Sequence, residues 1–142
     1  MKIGKQVFAV LAAVMMAASS LHAGDSVGNT CAVCGKVVSD TRFSAVMEED
    51  SKMRYFNDIG CAVKYLKGKC TSESRECDFS MRVFDYDSAE PVHIRAAYYL
   101  QSRKIKTPNG SGIVAFKEEK NAAGFLKAKG LQKKVLDFED LK

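Results

Sequence analysis

Histidine is scarce in this chain, which has two, His22 and His93, and the first falls in a segment that reads as a leader. A zinc centre therefore has little to draw on, since structural zinc takes four ligands and often includes His. A c-type haem is excluded, because Gly35 rather than His follows Cys31-Ala-Val-Cys34. No Gly-rich phosphate loop, metal-hydrolase motif or triad-like grouping is present, so no enzyme activity is expected. Massed charge of one sign is missing too. The 22 Lys and Arg are interspersed with 17 Asp and Glu, which argues against a nucleic-acid partner. Lys127-Ala-Lys129 and Lys133-Lys134 read as solvated faces. Beyond the leader, no segment is apolar over the roughly 20 residues that a membrane span needs, so no membrane insertion is expected after cleavage.

What is present starts with that leader. Lys2 and Lys5 precede an apolar run from Val7 to Ala18, followed by Ser19-Ser20-Leu21-His22-Ala23. A positive start, a short apolar core and a small residue at the cut describe a cleavable signal peptide over residues 1–23. Cleavage nearer Ser19 is the alternative. The expected product is exported, periplasmic or otherwise secreted, over residues 24–142. It keeps 20 basic and 17 acidic residues, a net charge of +3, and is long enough for one compact domain. No Cys follows the leader closely enough for a lipid anchor.

Two stretches of the remaining chain echo each other. Tyr55-Phe-Asn-Asp-Ile-Gly-Cys-Ala-Val-Lys-Tyr-Leu-Lys67 aligns with Ala115-Phe-Lys-Glu-Glu-Lys-Asn-Ala-Ala-Gly-Phe-Leu-Lys127. Extended-looking sequence precedes each, Phe43–Met47 and Val92–Leu100, and a strand-like segment follows each, Val83–Asp87 and Val135–Glu139. The simplest account is strand, strand, helix, strand, run twice over about 40–88 and 90–141. The class is α+β, built of two related ββαβ units. Asn57-Asp58 offers acceptors for helix amides beginning near Ile59, and Ile59, Ala62, Val63 and Leu66 share a face. Gly68 and Gly130 stand where the helices should end. Turns are marked by Glu49-Asp50-Ser51 and Thr107-Pro108-Asn109-Gly110.

Cysteine carries the chemistry, and its count of five is odd. Cys70 and Cys77 flank a polar connector and are expected to form a local disulfide, favoured by export. Cys31, Cys34 and Cys61 remain. Cys61 falls in the first turn of the first helix, where free amides and the helix dipole favour a thiolate. It lies off the Ile59/Leu66 face, so a core position is not its obvious role, although a small half-buried residue is the plain alternative. Cys31 and Cys34 fit a disulfide, a thiol–disulfide redox or sensor pair, or a clamp for a soft ion. A thioredoxin-like pair should end a strand and open a helix, and no strand precedes Cys31. Cu(I) accepts two or three soft ligands and suits the thiols better than Zn(II), which would need a fourth. Met47 and Met53 could add a sulfur, though core packing is their simpler role.

With these residues assembled, the chain resembles the NosL family of nitrous oxide reductase accessory proteins. The matching stretches are Cys31-Ala-Val-Cys34-Gly35, Tyr55–Leu66, Val83–Tyr86 and Thr107-Pro-Asn-Gly-Ser-Gly-Ile-Val-Ala-Phe116. The resemblance implies two ββαβ units akin to part of an organomercury lyase. It also implies a Cu(I) carrier or chaperone that hands copper to a copper-accepting enzyme, such as a nitrous oxide reductase, or to a transporter. Cys31, Cys34 and Cys61 are the metal ligands expected here, with Zn(II) as the other ion. Lys36 and Asn109 depart from the pattern, since the family commonly carries methionine at both positions.

Overall fold

A computed structural model describes residues 26–69 and 80–141. The leader and the Cys70–Cys77 pair, with the disulfide expected there, lie outside them.

Strands β1 (Ala45–Glu49) and β2 (Lys52–Phe56) form an antiparallel hairpin with Ala45 opposite Phe56. Its turn residues Asp50 and Ser51 have φ of 50° and 59°, the left-handed pair that matches the natural twist of a two-residue hairpin. Helix α1 (Ile59–Lys69) follows at once. Asp58 caps it, accepting the Gly60 amide on Oδ1 at 2.8 Å. The anticipated face of Ile59, Ala62, Val63 and Leu66 is buried. Strands β3 (Arg82–Phe84) and β4 (Pro91–His93) complete a sheet in the order β2-β1-β3-β4.

Strands β5 (Tyr98–Gln101) and β6 (Ile113–Phe116) pair antiparallel, and α2 (Glu119–Ala128) follows. Leu136 then returns to Tyr99, exchanging two backbone hydrogen bonds of 2.8 and 2.9 Å. In both units the first strand is central, flanked by the second strand and by the segment after the helix. The fold is α+β, and the repeated plan is visible in this order of pairing.

Three local expectations change. Val135–Glu139 contributes one bridged residue and then a short 3-10 turn over Glu139–Leu141. Val92–Leu100 is divided between β4 and β5, because Ile94 closes onto Met81 (3.0 Å) and Ala96 turns back on His93 (2.8 Å). Gly68 does not end its helix, which continues to Lys69. Gly130 does cap α2 at φ 59°, with Leu131 N–H reaching the Leu126 carbonyl at 2.9 Å and Gly130 N–H the Lys127 carbonyl at 3.2 Å.

The main core joins Phe56, Ile59, Leu66 and Val83 to Tyr99, Ile113 and Ala115, so both units contribute to one apolar interior. Buried Asp85 adds a polar join, accepting the Lys117 amide at 2.8 Å and the Ser88 amide at 2.9 Å. A second cluster of Leu100, Val114, Phe116 and Ala122 lies under α2.

Candidate metal centre

The Cys31–Cys34 stretch forms a knuckle at the start of the described chain. Thr30 and Val37 bridge antiparallel across its base, and Cys31 N–H donates to the Lys36 carbonyl at 2.9 Å. Gly35 closes the turn onto the Cys31 carbonyl at 3.0 Å. Its φ of 73° suits glycine. Ala32 N–H donates to the Tyr55 carbonyl at 2.8 Å, which lays the knuckle along the end of β2.

That placement carries the two cysteines to the first turn of α1. The sulfurs of Cys31, Cys34 and Cys61 all lie within 4.8 Å of one another. All three are free thiols; Cys31 and Cys61 are buried and Cys34 is half-buried. Among the described residues, this is the one place where three or more Cys, His or carboxylate groups gather in ligand geometry. His93, at the end of β4, stands apart from the group and accepts the Arg95 amide. Met47 packs in the core, and Met53 is 40% exposed on β2.

Cys61 departs from its expected setting. Helix periodicity puts it off the Ile59/Leu66 face, yet it is 3% exposed. The knuckle covers it on one side and the Thr107–Ser111 loop on the other. Asp58 draws that loop in, taking Thr107 Oγ1 at 2.7 Å and the Asn109 amide at 2.8 Å on Oδ2, and the Ser111 hydroxyl on Oδ1. Gly60 permits the approach, since a Cβ there would sit 2.5 Å from Ser111 Cβ.

Three further polar groups surround the sulfurs. Asn57 does not cap the helix; its Oδ1 accepts from the thiols of Cys34 at 3.2 Å and Cys61 at 3.5 Å. Asn109 Nδ2 donates to Cys61 Sγ at 3.3 Å, and its Oδ1 accepts from Lys36 Nζ at 3.3 Å. Lys36 and Asn109, the two departures from the NosL pattern, therefore meet each other over the thiols. Periodicity and motif spacing contain no signal for these contacts, which join residues 48 and 73 positions apart.

The electrostatics separate the thiols. Burial opposes ionisation of Cys31, but the amides of Cys34, Asn57 and Val33 and the Cys34 thiol outweigh it, so its pKa falls below the ordinary value. Burial, followed by the charges of Cys31 and Cys34, pushes Cys61 up to about 12. The thiolate expected from the helix dipole is therefore not favoured by the three thiols alone. A cation held there would reverse that balance, because its positive charge would offset the repulsion between neighbouring thiolates.

No family model matches this chain, and a search of curated proteins finds no match. Among solved structures, the fold is similar to that of the copper chaperone NosL from Shewanella denitrificans. The TM-score is 0.61 at 19% identity, over 81% of this chain and 90% of that one. At that identity the likeness is one of fold.

Proposed function

We propose that this chain is an exported Cu(I) carrier that holds the ion between Cys31, Cys34 and Cys61. The three convergent sulfurs carry the reading. Thiolates about 2.3 Å from a shared ion in a plane lie about 4 Å apart, within the spacing found. The groups that close the site favour low coordination. Lys36 and the Asn109 amide nitrogen are donors with no lone pair for a metal, and no fourth Cys, His or carboxylate among the described residues joins the sulfurs. Zn(II), which prefers four ligands, is the poorer fit. The NosL-like fold and the copper chaperone that shares it support the same assignment.

Transfer proceeds by ligand exchange. Cys34 is the least buried of the three thiols, so an acceptor's sulfur enters there before Cys31 and Cys61 release the ion. The recipient is a copper-accepting enzyme or transporter, and a nitrous oxide reductase is the client that the NosL resemblance implies. The leader-like pattern of residues 1–23 supports a periplasmic or otherwise exported setting for this exchange. The role is binding and delivery, with no catalytic step.

The depressed pKa of Cys31 beside Cys34 favours a second reading, a thiol–disulfide redox or sensor pair. Anaerobic Cu(I) titration against a chromophoric chelator separates the two. The carrier retains one tight equivalent, and both Cys34→Ser and Cys61→Ser weaken it by at least about tenfold. A redox pair is indifferent to Cys61. Absence of competitive binding refutes the carrier.

A further inference from the structure

A cleft of about 310 Å³ opens beside α2 and shares no residue with the thiol centre. Its floor is aromatic. Tyr86 meets Phe43 edge-on at 5.9 Å and Phe125 at 5.1 Å between ring centres, and Phe125 rests on buried Phe116 at 5.6 Å. Leu131, fixed by the Gly130 cap, and Ile105 complete the apolar wall.

The rim is cationic. Lys104 and Lys106 stand on the β5–β6 loop, and Lys129 follows α2 with its ammonium 5.8 Å from the Phe125 ring centre. All three are exposed, and among the described residues no Asp or Glu lines the cleft. None of the three forms an ion pair among the described residues, whereas Arg42, stacked on Phe43 and Tyr86, is neutralised by Asp40 at 2.7 Å. The loop bearing Lys104 is fixed in advance. Ser102 N–H donates to the Gly112 carbonyl at 3.0 Å, Ser102 accepts Ile105 N–H at 3.0 Å, and its Oγ accepts the Lys104 amide at 3.2 Å. Gly112 packs so closely that a Cβ would lie 2.1 Å from the Ser102 carbonyl oxygen.

A floor of aromatic rings beneath cations unpaired among the described residues selects a ligand that is aromatic and anionic. The volume lies at the small end of ligand sites, which begin near roughly 300 Å³. That size suits one small molecule rather than a length of peptide. We propose that this cleft binds a small aromatic anion, a carboxylate or sulfonate, with its ring on Phe43, Tyr86 and Phe125 and its charge among Lys104, Lys106 and Lys129.

Fluorescence titration of the purified chain with anilinonaphthalene sulfonate tests this, with phenylnaphthylamine as the dye of like shape and no charge. One saturable site is expected for the anion, with the neutral dye weaker by about tenfold or more. K104E/K106E, at exposed positions, should weaken the anion similarly while leaving the circular dichroism unchanged. K64E/K67E makes the same change in net charge on α1 and should leave binding intact. Equal affinity for the neutral dye, no loss in K104E/K106E, equal loss in K64E/K67E, or no saturable site overturns the proposal.

Discussion

Asp58 is the residue on which the thiol centre's architecture depends, and replacing it gives a sharp test. Its carboxylate is fully buried and accepts from four donors: the Gly60 and Asn109 amides at 2.8 Å each, Thr107 Oγ1 at 2.7 Å, and Ser111 Oγ. Loss of a helix cap costs about 1 kcal/mol, and a hydrogen bond to a charged group contributes about 1.5–3 kcal/mol. The four act as one network and do not sum, so Asp58→Ala should cost about 3–4 kcal/mol. Asp58→Asn keeps the shape but turns a donor toward donors, and should cost about 2–3 kcal/mol. Against a total stability of roughly 5–15 kcal/mol, urea unfolding followed by circular dichroism resolves either loss. Thr107→Ala and Ser111→Ala should each cost about 1 kcal/mol in the native background and little once Asp58 is Asn. Copper affinity should fall too, because Asp58 fixes the loop from which Asn109 reaches Cys61. An Asp58→Asn chain within about half a kcal/mol of the parent, or strictly additive costs, would refute the network.

Gly60→Ala should destabilise by about 1–3 kcal/mol through the Ser111 contact, although Ala normally improves a helix by about 1 kcal/mol; thermal unfolding reads the sign. Asn109→His places an imidazole at the sulfurs and should raise Zn(II) and Co(II) affinity by about tenfold or more, with tetrahedral Co(II) bands. An unchanged spectrum would show that Asn109 does not close the site. The Glu49 carboxyl, held at about 2 by Lys69, Tyr65 and Arg54 against an ordinary value of 4.5, stabilises the fold above that ordinary value. Its contribution should disappear as pH falls from 4.5 toward 2. Glu49→Gln should remove that part of an acid-unfolding curve, and high salt should flatten it.

Features written in neighbouring residues were legible in the sequence. Asp58 and the spacing of Ile59, Ala62, Val63 and Leu66 set the start and buried face of α1. Gly130 marked a true helix end; Gly68 did not, because its position inside α1 requires no left-handed turn. Hydrophobic alternation over Val135–Glu139 suggests a full strand and cannot reveal that Leu136 is the one residue of that segment bridged to Tyr99. The thiol residues were named from spacing and resemblance, whereas their surroundings depend on distant partners. Asn57 looks like a second cap until the knuckle is in place, and Cys61 looks off the core face until the loop around Asn109 is packed over it.

The thiol centre also has an order of arrival. On the proposed export route the N-terminus emerges first, so Cys31 and Cys34 reach the oxidising side ahead of Cys61, 27 positions after Cys34, and of Asn109, a further 48 positions on. An emerging chain therefore presents an uncovered pair of thiols well before the residues that bury their partner arrive. Oxidant that reaches this pair early can close it into a ring before the third sulfur is in place. The yield of chain with all three thiols free is then a race between folding of the second unit and oxidation of the first cysteines.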